Sequence, residues 1–383
     1  MRDNTEFISS SMEAIERNDD LLTQILVRVP LRDVITFRRV SKRWLSLISA
    51  PYFRRCHTSV KVKQRVSGLF FDFAPDSVFH QEVKFFYLDK ETCPSYSSSS
   101  FSPKIPDLGS SLIIQSCNGL MLLQSEEAAF IYNPTTGDKK TLPSSFPSSD
   151  PSDLYYSLAF DPLLFLGYKV ICIFDGLDSK DECFQTMIYS SESGGWKRGC
   201  SLPPTSHIHF DIPTYFKGSI YWNGRKTTLR FDLKEECMKN DMPRLPPKTY
   251  YRTVLVPSSG YMNLAGFESD DELSICIFRL KEDYSSPRWV HMHSIDLLPV
   301  IVQTAFDRIT LHEKEFFCSV IHLIEDHEDG MSLLLHVPGA VVVLRLKDRN
   351  SYYVSDIPTG NEILQNTWGW FRTFEYMESL ASV

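Results

Sequence analysis

The sequence predicts an α+β multidomain chain: a small N-terminal head of three short helices, then an all-β domain, an irregular β-propeller. Three observations predict it. Between residues 17 and 57 the apolar period is helical, with Leu21, Leu22, Ile25, Leu26 and Val29 recurring along one face. Beyond Val66 it changes to short runs rich in β-branched and aromatic residues, bounded by Gly, Pro, Asn, Asp or Ser. No helical stretch of comparable strength separates those runs, which argues against βαβ units.

In the head, "DDLLTQILVRVP" forms the first helix. Asn18 or Asp19 caps it, its first-turn acids suit the positive end of the helix dipole, and Pro30 stops it. "LRDVITF" reads as a short turn into a helix over "FRRVSKRWLSLI" that ends at Pro51. There Val40, Trp44, Leu47 and Ile48 share one side, and Arg38, Arg39, Lys42 and Arg43 spread over the rest. So few residues cannot bury this much apolar surface among themselves. Apolar positions on more than one side of the first helix favour a separate protein, over the chain's own large domain, as the covering body.

The strand candidates are "GLMLL", "AAFIYNP", "YKVICIF", "QTMIYSS", "GSIYWN", "LRFDL", "LSICIFRL", "FFCSVIHLI", "SLLLHV" and "AVVVLRL". A loose repeat of strand, polar turn and strand is anchored at Tyr132, Tyr189, Phe231, Phe278 and Leu344, which stand 57, 42, 47 and 66 residues apart. These gaps bracket the roughly 50-residue period of kelch blades. Hairpins at that spacing bury their faces against their neighbours in a propeller, with a β-sandwich the alternative because the period is irregular. Ser/Pro-rich stretches at 92–111 and 142–153 are loops. The resulting boundaries are a disordered arm (1–16), the head (17–57), a basic linker (58–66), the β-domain (67–377) and a tail (378–383).

Charge separates the two parts. From Arg28 to Arg65 eleven Lys/Arg face the single acid Asp33, while the chain as a whole is −8. A basic head on an acidic body points to a partner of negative charge. The nine scattered cysteines never form a Cys-x-x-Cys pair and read as reduced thiols of an intracellular protein. The N-terminus lacks the apolar core of a secretory signal, and no apolar run reaches the roughly 20 residues of a bilayer span.

No Gly-rich phosphate loop, Gly-x-Ser-x-Gly elbow or His-Glu-x-x-His occurs, so no catalytic residue, cofactor or metal is implied. The His-x-His pairs His207/His209 and His291/His293 have no third ligand at sensible spacing and read as solvent-facing. "HLIEDHEDG" (322–330) has the composition of a loop between strands and lacks a calcium-binding pattern. Trp196, Trp222, Trp289, Trp368 and Trp370 read as core or inter-blade packing rather than a ligand surface, the last two on a final strand.

The head resembles an F-box in its "DLLTQILVRVP" opening, "FRRVSKRW" middle and "LISAPYF" close. Downstream, "SCNGLMLL", "IYNPTTGDKKTLP", "AFDPLLFLGYKVICIF", "FKGSIYWNG", "LRFDLKEECM" and the closing "EYMESLASV" are similar, in order, to motifs of plant F-box proteins with an F-box-associated or kelch-like domain. The resemblance implies a substrate-recognition subunit of a Skp–cullin–F-box ubiquitin ligase, cytoplasmic or nuclear. Its head docks a Skp-type adaptor, and its β-domain binds a target, with 92–111, 142–153 and 203–213 as candidate target loops. Leu22, Ile25, Leu26, Val29, Pro30, Val40, Trp44 and Leu47 match the family's apolar positions, shared between the head's core and the adaptor contact. One departure stands out. Arg17 and Asn18 occupy the family's usual Leu-Pro, which removes an adaptor contact and leaves Asn18 as the cap. Two alternatives from other classes remain: a nucleic-acid binder using the basic helix, and a propeller for carbohydrate or another small ligand.

Overall fold

A computed structural model describes residues 18–60, 66–73, 82–88, 103–104, 111–143, 154–164, 167–175, 183–202, 208–246, 251–268, 271–282, 286–305, 318–326, 330–337, 340–356 and 372–383. The expected arm (1–16), Arg17, Cys93, His207, Trp368, Trp370 and most of 92–111 and 142–153 lie outside the described residues.

The head has four helices: α1 (Asp19–Leu26), α2 (Leu31–Phe37), α3 (Lys42–Ser49) and α4 (Pro51–Val60). The periodicity predicts a turn at "LRDVITF" and a terminator at Pro51, and both are helix. The reason is shared. A proline at the start of a helix loses only an N–H that has no intrahelical partner, and its fixed φ suits the first turn. Pro30 caps α2 and Pro51 opens α4, so each ends one helix and begins the next. Helix α4 also takes up the first residues of the expected linker.

Beyond the head lie six sheets arranged as a six-bladed propeller. Blade I opens with β1 (Gly68–Phe73) and β2 (Glu82–Tyr87). Blade II comprises β3 (Leu112–Cys117), β4 (Leu120–Gln124), β5 (Ala129–Tyr132) and β6 (Lys139–Thr141). Blade III comprises β7 (Tyr155–Phe160), β8 (Tyr168–Asp175), β9 (Phe184–Ser190) and β10 (Gly195–Leu202). Blade IV comprises β11 (Ile208–Phe216), β12 (Ser219–Gly224), β13 (Thr228–Asp232) and β14 (Cys237–Lys239). Blade V comprises β15 (Tyr251–Ser258), β16 (Tyr261–Glu268), β17 (Asp271–Glu282) and β18 (Pro287–Asp296), with α5 (Leu298–Ala305) following. Blade VI comprises β19 (Ser319–Asp326), β20 (Gly330–Val337), β21 (Ala340–Arg345) and β22 (Ser351–Asp356).

The last strand, β23 (Arg372–Tyr376), returns to blade I and pairs antiparallel with β1, Phe374 opposite Phe70. The two ends of the β-domain thus close the ring, which removes the exposed edges an open array would leave. In blades II to VI the first strand lies nearest the axis, in blade I the closing strand β23 takes that place, and neighbouring blades pack face to face. Between blades III and IV, Ile171, Ile173 and Ile188 meet Ile220, Trp222 and Phe231. Between blades V and VI, Ile275 and Ile277 meet Leu333, Leu335 and Val342.

At the closing seam, His322–Asp326 lie in β19, although their composition predicts a loop. The alternation Val320, His322, Ile324 carries the histidine into the interior, where its Nδ1 sits 2.6 Å from Glu375 Oε1 on β23. Burial works to raise the Glu375 carboxyl, but the neighbouring His322 outweighs it and holds the pKa below its ordinary value. A lowered carboxylate stabilises the fold above the unfolded pKa of about 4.3 and loses that contribution as pH falls through the folded value. Because the Glu375 side chain is 36% exposed, water screens the pair and its coupling is set at about 1 kcal/mol. A double-mutant cycle of His322→Gln and Glu375→Gln, followed by urea unfolding, should show that coupling at pH 6 and its loss once the pH has fallen through the lowered folded value. Equal coupling on both sides of that value would contradict the assignment.

Candidate docking face on the helical head

Local chemistry sets each helix of the head. Asn18 Oδ1 accepts the backbone N–H groups of Asp20 and Leu21 at 3.0 and 3.1 Å, making it the cap of α1. Ser41 Oγ accepts the N–H of Trp44 at 3.2 Å and caps α3. Arg43 reaches back to Asp19 through Nη2 (2.7 Å) and Nε (3.1 Å), laying α3 beside the start of α1. Both side chains are exposed, so this pair orients more than it stabilises.

The core of the head comprises Leu22, Leu26, Val27, Leu31, Val34, Ile48 and Phe53, and it is completed by Leu380 from the far end of the chain. Trp44 is half-buried against this cluster and meets the edge of Phe37 at 5.4 Å between ring centroids. That is where the prominent tryptophan packs.

The eight predicted contact residues therefore separate. Leu22 and Leu26 are 4% and 2% exposed, so as side chains they belong to the head's own interior. Of the two roles the resemblance implies for these positions, this burial fits the share in the head's own core. Leu22, Thr23 and Leu26 on α1, and Val27 just after its end, face the core, and Leu21 and Ile25 face out. Val29, Trp44 and Leu47 are partly covered, while Pro30 is exposed. Ile25 and Val40 stand 46% and 61% open. Sequence reasoning missed Leu45 and Tyr52 as exposed apolar side chains and placed Leu21 in the core-facing pattern, yet all three are exposed. A helical wheel carrying apolar residues on two sides is the signal that points to them.

The polar surface of the head is basic. Arg39, Lys42, Arg43 and Arg55 are exposed. Arg54 turns inward instead, where burial first, and the Arg38 charge second, lower its pKa against the opposing effect of Asp138 on the β5–β6 turn.

Other candidate sites dissolve into packing. Trp222 is fully buried and its indole N–H donates to Ser157 Oγ at 3.0 Å across the blade III–IV interface. Trp196 packs on Tyr189 and donates to the Pro143 carbonyl at 2.7 Å. Trp289 is partly buried in the blade V cluster. His209 and His291 are exposed, and His291 Nε2 lies 2.9 Å from Ser294 Oγ. Among the described residues no group of three His, Cys, Asp or Glu could hold a metal ion, and no helix is long and apolar enough to cross a membrane.

The head is thus a set of short helices with exposed apolar side chains, carried on a six-bladed propeller. Residues 18–56 match the F-box domain, and residues 69–325 match the F-box associated beta propeller domain. The chain belongs to the F-box-associated β-propeller family. It is 28% identical to the F-box protein At5g07610 of Arabidopsis thaliana, over 100% of this chain and 96% of that protein. It is 26% identical to the F-box protein DOR of the same plant, over 77% of this chain and 81% of that protein. Among solved structures, an oligogalacturonate lyase in complex with manganese is 9% identical over 63% of each chain, with a TM-score of 0.37, too faint a likeness to bear on chemistry.

Proposed function

We propose that the chain is the substrate-recognition subunit of a Skp–cullin–F-box ubiquitin ligase. Its head docks a Skp-type adaptor, its propeller holds a target protein, and ubiquitin transfer occurs on other subunits in the cytoplasm or nucleus. The observation that carries this reading is the exposed apolar set on the head, Leu21, Ile25, Val40, Leu45 and Tyr52, none of which the propeller covers. The exposed cations beside it favour encounter with an acidic adaptor and give an association rate that falls with salt. The chain's contribution to transfer is a raised effective concentration of target lysines.

Target binding belongs to the end of the propeller away from the tail. The strand ends that bracket 142–154, 203–207 and 357–371 lie there, and so does α5, which exposes Leu298 and Val302 on one side. Two of the predicted loops need adjustment. Residues 208–213 are part of β11, and Lys104 of the 92–111 stretch is bound to the β5–β6 turn, its N–H donating to the Pro134 carbonyl at 2.8 Å. That turn is on the tail side.

The test is binding of the full chain to a purified Skp-type adaptor, with Ile25→Asp and Val40→Asp as variants. Both side chains are exposed, so helical content should stay unchanged. Affinity should fall about 30-fold, the roughly 2 kcal/mol of a contact hot spot. Wild-type affinity in the folded variants would overturn the docking face. If the folded wild type itself fails to bind, a salt-dependent DNA titration tests the basic face as a nucleic-acid surface.

A further inference from the structure

After β23 the chain runs on for seven residues, Met377–Val383, and these lie between the propeller and the head. Alternate side chains point to opposite bodies. Leu380 enters the core of the head beside Leu26, Val34 and Phe53, whereas Ala381 and Val383 pack on the cluster shared by blades II and III. The propeller grips the tail through two fully buried residues, Asn133 and Thr135. Asn133 Nδ2 donates to the carbonyls of Ser379 (3.1 Å) and Ala381 (2.8 Å), while its Oδ1 accepts the N–H groups of Thr135 and Thr136. Thr135 Oγ1 in turn accepts the N–H of Ser379 at 3.1 Å, and Ser379 Oγ accepts the N–H of Ala381 at 3.0 Å. The β3–β4 turn is shaped for the same purpose: Gly119 sits at φ +93°, and a Cβ there would collide with the Ser379 side chain.

We propose that Met377–Val383 is a strap: it completes the head's core with Leu380, and through Asn133 it fixes the head's orientation on the propeller. The head is then neither an autonomous domain nor a freely swinging one. Every residue of the grip belongs to blade II. Tail docking and head order are thereby one equilibrium, and a ligand that binds only the ordered head is weakened by the fraction of time the strap is undocked. Leu380 and Asn133 are positioning residues in this scheme, with no contact of their own to adaptor or target.

Hydrogen exchange on the free full-length chain tests the strap without any adaptor, so its outcome is independent of the docking proposal above. Leu380→Ala and Asn133→Ala should each raise exchange of the Val34–Phe37 amides at least tenfold. Amides of β16 and β17 in blade V should keep their wild-type protection, which reports that the propeller has stayed folded. Leu380→Met, which conserves volume, should restore protection of the head. Unchanged head exchange in both alanine variants would overturn the strap, and so would equal loosening of head and blade V.

Discussion

Replacing Trp222 by alanine should destabilise the propeller by about 3–5 kcal/mol, the range for truncating a large buried aromatic. The residue is fully buried, and its ring fills the space among Ile171, Ile173, Ile188 and Phe231, with the Phe210 ring 5.8 Å away. Nothing nearby is positioned to collapse into the gap, because those neighbours sit on paired strands of two different blades. The substitution also strips Ser157 Oγ of the indole N–H that bridges the blades. Trp222→Phe separates the two effects, keeping most of the packing while losing the hydrogen bond, for a further loss of roughly 1–2 kcal/mol rather than the whole. Urea unfolding followed by far-ultraviolet circular dichroism measures both. A midpoint shift equivalent to less than about 1 kcal/mol for the alanine variant would mean that the blade III–IV interface does not rest on this ring.

The same burial explains what sequence could and could not reveal. All five repeat anchors lie on third strands, and all five are buried: Tyr132, Tyr189, Phe231, Phe278 and Leu344. Second and third strands of a blade are covered on both faces, so "YKVICIF" and "AVVVLRL" read as continuous apolar runs. First strands are harder. In β3, Gln115 interrupts the run because its amide bridges to β7, donating to the Leu158 carbonyl at 3.0 Å and accepting the Leu158 N–H at 2.6 Å. In β11, His209, Asp211 and Pro213 break the pattern where the register with β12 shifts. A proline and a bulge both weaken a strand signal although the strand forms. Blade I escaped the repeat altogether, since its strands come from opposite ends of the β-domain.

The head shows a different limit. Its helices α1 and α3, its cap at Asn18 and its amphipathic character follow from local spacing, whereas α2 and α4, each begun by a proline, do not. Which body covers the surplus apolar surface does not, because Leu380 reaches the head through long-range folding that leaves no periodic mark. The choice between the chain's own domain and a separate partner is therefore not a choice: the tail completes the core, and Leu21, Ile25, Val40, Leu45 and Tyr52 still stay exposed.

Leu26 and Ile25, adjacent in sequence, should behave as opposites. Leu26 is 2% exposed among Leu22, Val34, Phe53 and Leu380, so Leu26→Ala should destabilise the head by about 2–5 kcal/mol through lost burial and a residual cavity. Ile25 stands nearly half open, and its truncation to alanine should change stability by less than about 0.5 kcal/mol, as at other surface positions. Adaptor affinity should fall in both, for different reasons. In Leu26→Ala the loss follows the fraction of head that is unfolded, so it shrinks when the temperature is lowered or a stabilising osmolyte is added. In Ile25→Ala the deficit is a missing contact, and neither treatment recovers it. Calorimetric titration at several temperatures, beside hydrogen exchange of the α1 and α2 amides, distinguishes the two. If Leu26→Ala leaves head exchange untouched and still abolishes binding, Leu26 contacts the partner directly and the division of the eight predicted residues into core and contact is wrong.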